Sequence, residues 1–381
     1  MFEVPELPES SISPPEDFSF PFEPYGIQKD FMKALFSALE KKCVGIFESP
    51  TGTGKSLSLL CGALTWMEKH EEQRREDLDK FINSFNLADE EKAVIASTNW
   101  IASQHELRKK KESICKAKRE LQFLEETIAR RKKVLGSKRK KTMTISARFP
   151  KGNTKIEKEK KVEGEPEDEF DYLLDDFAIS NYSDADLSED EDLEEPEFFP
   201  LKIIFASRTH SQLSQFVKEL QRTSFGRKVT VATLGSRQNL CINPEVNRLK
   251  NLSLINEKCL DLQKGSKGVT KSENKKLKSC SGCPYFKHNA IEDLKNTILS
   301  EPVDIEELVT IARDEHKACP YYAARKAAKE AQLILMPYNT ILHAGTRDGV
   351  GINMEKSVLI LDEAHNIIES ISNMYSNQMH L

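Results

Sequence analysis

Two short motifs, about three hundred residues apart, contain side chains whose types and spacing could do chemistry. In the first, Gly52 and Gly54 allow backbone N–H groups to point at an anion, and the following helix adds partial positive charge. Lys55 would contact the β- and γ-phosphates of ATP, and Ser56 would bind Mg²⁺. The residues predicted to hold the nucleotide in this loop are Ser49, Pro50, Thr51, Gly52, Thr53, Gly54, Lys55 and Ser56.

The second motif follows the apolar run Val358–Leu361, which is typical of a buried strand. Asp362, at its carboxyl end, can hold Mg²⁺, and Glu363 can orient and deprotonate an attacking water. Lys55, Asp362 and Glu363 are therefore the predicted catalytic residues, provided that folding brings Lys55 and Asp362 together. His365 is predicted at the nucleotide site, either coupling it to neighbouring elements or serving as a structural imidazole.

The context of the first motif favours a phosphate-binding loop over a chance glycine turn. Cys43–Phe47 is short, apolar and β-branched, which predicts a buried parallel strand, and Leu57–Leu64 predicts a helix. Ser49 stands where the first glycine of such loops is usual. Upstream, Gln28 offers one donor and one acceptor to an adenine edge, although a plain surface glutamine fits equally.

Composition separates the chain into regions. The 381 residues are 38% hydrophobic and 31% charged, with a net charge of −5. Residues 163–197 hold seventeen Asp or Glu and no Lys or Arg, so the rest carries 56 basic and 44 acidic residues, a balance of +12 suited to phosphates. No run of eighteen apolar residues predicts a membrane span, and residues 1–22 lack the pattern of a signal peptide.

A charged insertion is predicted over residues 107–200. Its first part repeats an apolar residue every seven positions, from Leu107 to Leu135, which predicts an amphipathic helix or helical hairpin. The excess of Lys and Arg there fits a DNA or partner contact as well as a solvated face. Residues 138–141 (Lys-Arg-Lys-Lys) fit a nuclear-import signal, and the acidic part is predicted to be disordered, with Ser183 and Ser188 as candidate phosphorylation sites.

A second strand, Leu201–Ala206, is followed by Ser207-Arg208-Thr209-His210 and a helical pattern. Hydroxyls, a guanidinium and helix-start N–H groups suit a nucleic-acid phosphate, so Arg208, Thr209 and His210 are candidate DNA-binding residues. An ordinary capped helix is the alternative.

Five cysteines concentrate in the next hundred residues. Their irregular spacing, with one Cys-x-x-Cys pair, allows zinc, an iron–sulfur cluster or free thiols. The five are Cys241, Cys259, Cys280, Cys283 and Cys319.

Taken together, these segments resemble the XPD-like iron–sulfur DNA helicases of superfamily two, in their Chl-type branch. The resemblance is carried by residues 48–56, 207–213, 235–241, 318–322 and 362–365. It implies ATP-driven 5′-to-3′ unwinding of single-stranded and forked DNA, a role in DNA repair and sister-chromatid cohesion, a nuclear location, replication or cohesion partners, and a monomer. It also implies a 4Fe–4S cluster on Cys241, Cys259, Cys283 and Cys319, with Cys280 as an extra thiol.

The predicted fold is α/β, a P-loop domain on a mainly parallel sheet with strands near Val44, Val94, Ile203, Val231, Ile334 and Leu359. The first motor domain is expected in residues 1–106, 201–234 and 326–381, interrupted by the insertion at 107–200 and a cluster module at 235–325. The family's second motor domain has no counterpart, so weak activity is expected. Two other functions stay open: a P-loop ATPase with a zinc module acting on protein or RNA, and a non-catalytic DNA- or partner-binding protein.

Overall fold

The computed structural model describes residues 10–50, 52–85, 100–145, 198–267, 282–352, 354, 356–374 and 376. The chain divides into two compact units, one of residues 1–133 with 195–201 and the other of residues 134–194 with 202–381. Among the described helices, none is long and apolar enough to cross a membrane.

The first unit is built on helices. Helix α1 spans Gly26–Glu40 and helix α2 spans Lys55–Ser84. Their apolar faces are packed closely at Gly62, where an added Cβ would lie 3.0 Å from Cδ2 of Leu35. Residues such as Met32, Phe36 and Leu64 are almost completely buried, and each contributes about 1.5–3 kcal/mol to folding. This packing holds the start of α2, which follows the glycine loop.

The second half of α2 packs against helix α3, Trp100–Ile145. Leu78 and Phe81 of α2 share a small apolar cluster with Ile114 and Ala117 of α3. The seven-residue apolar repeat therefore gives a helix, as predicted. The acidic part of the insertion, Ser183 and Ser188 included, lies outside the described residues.

The second unit contains a four-stranded parallel sheet in the order β2-β3-β1-β4. Ile204 of β1 lies between Ile334 of β3 and Leu359 of β4. The strands are β1 (Lys202–Ser207), β2 (Val231–Thr233), β3 (Leu333–Pro337) and β4 (Ser357–Leu361). Because the strands are parallel, their carboxyl ends lie at one edge of the sheet, where ligands of α/β proteins commonly bind.

Helices connect these strands, and one more follows β4. They are α4 (His210–Arg222), α5 (Arg237–Leu240), α6 (Pro244–Asn247), α7 (Leu252–Lys267), α8 (His288–Ser300), α9 (Ile305–Ile311), α10 (Pro320–Glu330), α11 (Tyr338–Leu342), α12 (Ala344–Val350) and α13 (Ile367–Met374). Short 3₁₀ turns cover Ser224–Arg227 and Ala364–Asn366, and a π-helical turn covers Ala312–His316. Helices α5 to α10 form the region that carries the clustered cysteines.

The predicted strands near Ile203, Val231, Ile334 and Leu359 are confirmed, whereas the one near Val44 is wrong. Residues 41–50 include no strand, and Val44 and Ile46 are 93% and 94% exposed. The segment instead folds back on α1: the Cys43 N–H donates to the Ala38 carbonyl at 3.1 Å, and the Phe47 ring packs on Phe31 at 5.2 Å. Apolar alternation forms a strand only where a neighbouring strand supplies hydrogen bonds. The strand predicted near Val94 lies outside the described residues.

Candidate nucleotide, DNA and metal sites

The glycine loop has the backbone shape that an anion site needs. Gly52 and Gly54 take left-handed φ angles of +81° and +69°, which side-chain-bearing residues rarely adopt. Helix α2 begins directly after them at Lys55, and none of the side chains that the structure describes caps its first N–H groups. Uncapped N–H groups at the start of a thirty-residue helix attract negative charge. Lys55 and Ser56, both half-buried, are placed at this helix start.

Hydroxyl groups hold the loop together. Thr53 Oγ1 lies 2.9 Å from the Pro50 carbonyl, to which it donates. Ser49 Oγ lies 2.5 Å from the same Thr53 oxygen, and, since Thr53 has given its only proton to Pro50, Ser49 must be the donor. Ser49 therefore replaces the usual glycine with a residue that braces the loop. Thr51 lies outside the described residues.

Gln28 contacts this loop directly. Its amide nitrogen donates to the Thr53 carbonyl at 2.9 Å, and its amide oxygen accepts from the Tyr25 N–H at 2.9 Å at the start of α1. The side chain is buried, and a Cβ at Gly54 would lie 2.9 Å from its nitrogen. Gln28 is thus no plain surface glutamine, because it links the start of α1 to the loop. Its contact with adenine stays a prediction.

The two predicted carboxylates stand at the carboxyl end of β4. The Asp362 N–H continues the ladder by donating to the Ala206 carbonyl of β1 at 2.9 Å. Asp362 is half-buried, and Glu363 is exposed, with a left-handed φ of +52° that turns the chain away from the sheet. A metal-binding carboxylate and an accessible general base require these different exposures. The convergence of Lys55 and Asp362 stays a prediction.

A buried tyrosine accompanies these carboxylates. The Tyr338 hydroxyl is buried and has no hydrogen-bond partner among the described residues, and Tyr338 is 1% exposed. Burial, followed by the negative charges of Asp362 and Glu363, raises its pKa strongly, so it stays protonated. The sequence shows only a tyrosine after a strand, and its nearness to Asp362 depends on the β3–β1–β4 order.

His365 and Asn366 connect the carboxylates to the end of β1. The exposed His365 places Nε2 2.9 Å from the Asn366 amide nitrogen, and that amide also donates to the Glu363 carbonyl at 3.4 Å. Asn366 accepts in turn from the Arg208 guanidinium at 3.0 Å. A coupling role for His365 stays a prediction, with Asn366 as the contact that sequence reasoning missed.

The candidate DNA residues differ in their surroundings. The Thr209 hydroxyl accepts from the Gln212 N–H at 3.3 Å, and the Gln212 side chain accepts from the Thr209 N–H at 3.1 Å. This reciprocal pair caps α4, as the ordinary capped-helix alternative expects. The Arg208 side chain is 48% exposed and also faces Glu369 at 3.8 Å. Arg208 is therefore available to a phosphate, whereas Thr209 has a structural task.

His210 lies in a different environment from Arg208. Its Nδ1 is buried and has no hydrogen-bond partner in the part of the chain that the structure describes. Burial lowers the pKa of His210, so the ring is neutral near neutral pH. The ring lines a cavity of about 240 Å³ at the carboxyl ends of β1, β2 and β3. Polar lining residues include Ser236, Asn239 and Asn339. His210 therefore offers hydrogen bonding inside a cavity and not a surface charge.

Four of the clustered cysteines line one cavity. They are Cys241 after α5, Cys259 on α7, Cys283 before α8 and Cys319 at the start of α10. All four are free thiols. Burial and the neighbouring thiols raise the pKa of Cys241 to about 11 and of Cys319 to about 12. Without a bound cation, Cys241 and Cys319 therefore keep their protons at neutral pH.

Known proteins with similar sequences were found for almost the whole chain. The DEAD_2 family profile matches residues 205–381. The ATP-dependent DNA helicase DDX11 of Danio rerio is 37% identical over 394 residues, covering 95% of this chain and 43% of that protein. The helicases chl-1 of Caenorhabditis elegans and CHL1 of Yarrowia lipolytica are each 35% identical, over 96% and 94% of this chain and 44% and 42% of their own lengths.

This similarity supports the predicted resemblance to the Chl1-type branch of the XPD-like helicases. It spans less than half the length of the curated relatives it matches. The parallel sheet and the matching DEAD_2 region together confirm an α/β P-loop-type fold.

The side chains around the four cysteines fit a thiolate-bound cluster. No group of three or more His, Cys, Asp or Glu side chains is placed to hold a metal ion in the parts of the chain that the structure describes. The four thiols nevertheless surround one cavity, together with amide donors and Tyr322. Iron–sulfur clusters are held by four cysteines in this way. Cys280 lies outside the described residues, so the preference for Cys283 over Cys280 stays a prediction.

Proposed function

We propose that this chain takes part in ATP-dependent unwinding of DNA. In this proposal Lys55 binds the β- and γ-phosphates, and Ser56 with Asp362 holds Mg²⁺. Glu363 activates water, and Gln28, with the loop residues 49–54, positions the nucleotide. His365 couples this site to its neighbours. The observation that carries the proposal is an uncapped helix start behind two left-handed glycines, with Lys55 as its first residue.

The proposed DNA surface begins at the carboxyl end of β1. The exposed Arg208 would bind a backbone phosphate, with Thr209 fixing the turn. His210 and the polar side chains beside it in the cavity would contact the sugar or base of a single strand. The substrate is single-stranded or forked DNA, as for helicases in general.

Cys241, Cys259, Cys283 and Cys319 would hold a 4Fe–4S cluster in the proposed module of residues 235–325. When bound, the cluster supplies four metal–thiolate bonds that fix α5, α7, α10 and the loop before α8 relative to one another. The resemblance to nuclear helicases of chromosome maintenance further supports a nuclear location, a monomer, and replication or cohesion proteins as partners. Motor-domain segments at 1–106, 201–234 and 326–381 belong to the same proposal.

The test compares nucleotide binding and hydrolysis in the native chain and in Lys55→Ala. Loss of a charge-assisted contact lowers affinity for a fluorescent ADP about tenfold or more. Lys80→Ala is the matched control, because Lys80 lies exposed on the same helix, where it pairs with Glu76 at 3.0 Å. Nucleotide binding and DNA-stimulated hydrolysis that are lost in Lys55→Ala alone support the proposal. Equal binding by both variants, or DNA binding without any nucleotide binding, contradicts it.

The metal content of the purified chain distinguishes the iron–sulfur cluster from the zinc alternative. Four irons per chain with absorbance near about 400 nm support the cluster. One zinc per chain would instead support the zinc module, and the proposal for the nucleotide site would stand unchanged.

A further inference from the structure

The four cysteine sulfurs share a feature beyond their common cavity, because each one meets an N–H donor. The backbone N–H of Asn243 donates to Cys241, and that of Tyr322 donates to Cys319. The other two sulfurs are met by side chains. Asn243 Nδ2 lies 3.6 Å from Cys283 Sγ, and Gln263 Nε2 lies 3.7 Å from Cys259 Sγ. Asn243 thus contacts two of the four sulfurs.

The orientation of the Asn243 amide is fixed by the fold. Its oxygen accepts from the Glu245 N–H at 3.0 Å and thereby caps helix α6. Once the oxygen is held in this way, the NH₂ group must point in the other direction, toward Cys283. The side chain is only 5% exposed, so water cannot replace the contact without opening the packing. The Asn243 amide is therefore a buried donor with a fixed orientation, unlike an amide on the surface.

Gln263 is held in a comparable way. It lies one helical turn after Cys259 on α7, and its amide nitrogen also donates to the Tyr322 hydroxyl. The same hydroxyl accepts from the Arg237 guanidinium at 3.3 Å. Burial raises the Tyr322 pKa to about 12, so the phenol keeps its proton. The donor side chains are therefore connected to one another as well as to the sulfurs.

We propose that the side-chain amides of Asn243 and Gln263 tune the reduction potential of the group bound by the four cysteines. N–H donors stabilise negative charge on sulfur, and a cluster gains negative charge when it is reduced. Donors to the sulfurs therefore favour the reduced state and raise the potential. The inference rests on the proposed iron–sulfur cluster. Both amides are positioning residues, since they act through the cysteines.

The test uses the full chain purified without oxygen and an EPR-monitored redox titration. Asn243→Asp keeps the oxygen that caps α6 but replaces the donor with a carboxylate beside Cys283, so a more negative potential is expected. Gln263→Met removes one donor without adding charge, and a smaller shift in the same direction is expected. Asn247→Asp is the matched control, because Asn247 is exposed on the same short helix and should leave the potential unchanged.

The outcomes separate this inference from the proposed cluster. A native chain without iron overturns both. Iron in all variants with unchanged potentials overturns the inference and leaves the cluster standing. If Asn243→Asp loses its iron, Gln263→Met decides: a more negative potential in Gln263→Met supports the inference, and the native value contradicts it. An equal shift in Asn247→Asp also counts against it, since the effect would then follow from charge alone. Circular dichroism checks that each variant keeps its helices.

Discussion

Thr53 joins three parts of the nucleotide loop at the scale of a single residue. Its hydroxyl contacts Ser49 and Pro50, and its carbonyl accepts from Gln28. Thr53→Val keeps the shape but removes the hydroxyl, leaving two polar partners unsatisfied. At about 1 kcal/mol for each hydrogen bond, affinity for a fluorescent ADP should fall roughly 5- to 30-fold. Thr53→Ser keeps the hydroxyl and should bind like the native chain; equal affinity of Thr53→Val and Thr53→Ser would contradict the role of the hydroxyl.

His210 gives a pH prediction at the same scale. Burial lowers its pKa below the ordinary value of 6.5, so the unfolded state takes up a proton before the folded state does. The stability contributed by the neutral ring is complete above about pH 6.5 and is lost as the pH falls through this value toward the lowered pKa. Urea unfolding at about pH 7.5 and 5.5 should show a smaller loss in His210→Gln than in the native chain. His105→Gln, an exposed substitution on α3, should retain the native loss.

Ion pairs between α2 and α3 belong to the scale of elements. Arg74 makes two hydrogen bonds to the carboxylate of Glu120, at 2.9 and 3.0 Å, and Arg131 Nη1 lies 2.8 and 2.9 Å from the two oxygens of Glu71. Glu120→Gln removes the carboxylate that accepts both hydrogen bonds from Arg74 and should lower the free energy of unfolding by about 1–3 kcal/mol. The double variant Arg74→Met with Glu120→Gln should recover part of this loss, because the guanidinium that faced this carboxylate is removed as well.

An exposed pair serves as the control for that measurement. Glu76→Gln breaks the contact with Lys80 at 3.0 Å on the surface of α2, where ion pairs contribute between about 0 and 1 kcal/mol. If urea unfolding shows the same loss of unfolding free energy for Glu76→Gln and Glu120→Gln, the ion pairs between α2 and α3 contribute no more than an exposed pair.

The local sequence pattern predicted most of the described strands and helices, but it did not predict which elements pair or pack with one another. The β-branched runs at Ile203, Ile334 and Leu359 became strands because each has a neighbour in the sheet. Val44 has the same composition, but none of the described strands pairs with its segment, so the pattern failed there. The seven-residue apolar repeat predicted helix α3. The thirty-residue length of α2 was not predicted, because the charged second half of α2 is stabilised by contacts with α3, which follows later in the sequence.

The residues of the candidate sites fall into two groups: those predicted from motifs and those known only from contacts in the fold. Motif chemistry predicted Lys55, Asp362 and the cysteines, because each motif is short and its residue types are demanding. The sequence did not reveal Asn366, Tyr338 or Asn243, since the importance of each comes from a contact made only after folding.

At the scale of the whole molecule, the contact between Arg208 and Asn366 joins the proposed DNA surface to the proposed catalytic carboxylates, across 158 positions of sequence. A phosphate that draws Arg208 away would release Asn366, whose amide contacts the Glu363 carbonyl and His365. Asn366→Ala should therefore keep nucleotide and DNA affinity but lower the stimulation of ATP hydrolysis by single-stranded DNA about tenfold or more, as expected for a hydrogen bond to a charged group. Asn339→Ala, in the cavity beside His210, should instead weaken DNA binding and leave DNA-free hydrolysis intact. Full stimulation in Asn366→Ala would show that the two sites communicate by another route, because this variant removes the 3.0 Å contact between Arg208 and Asn366.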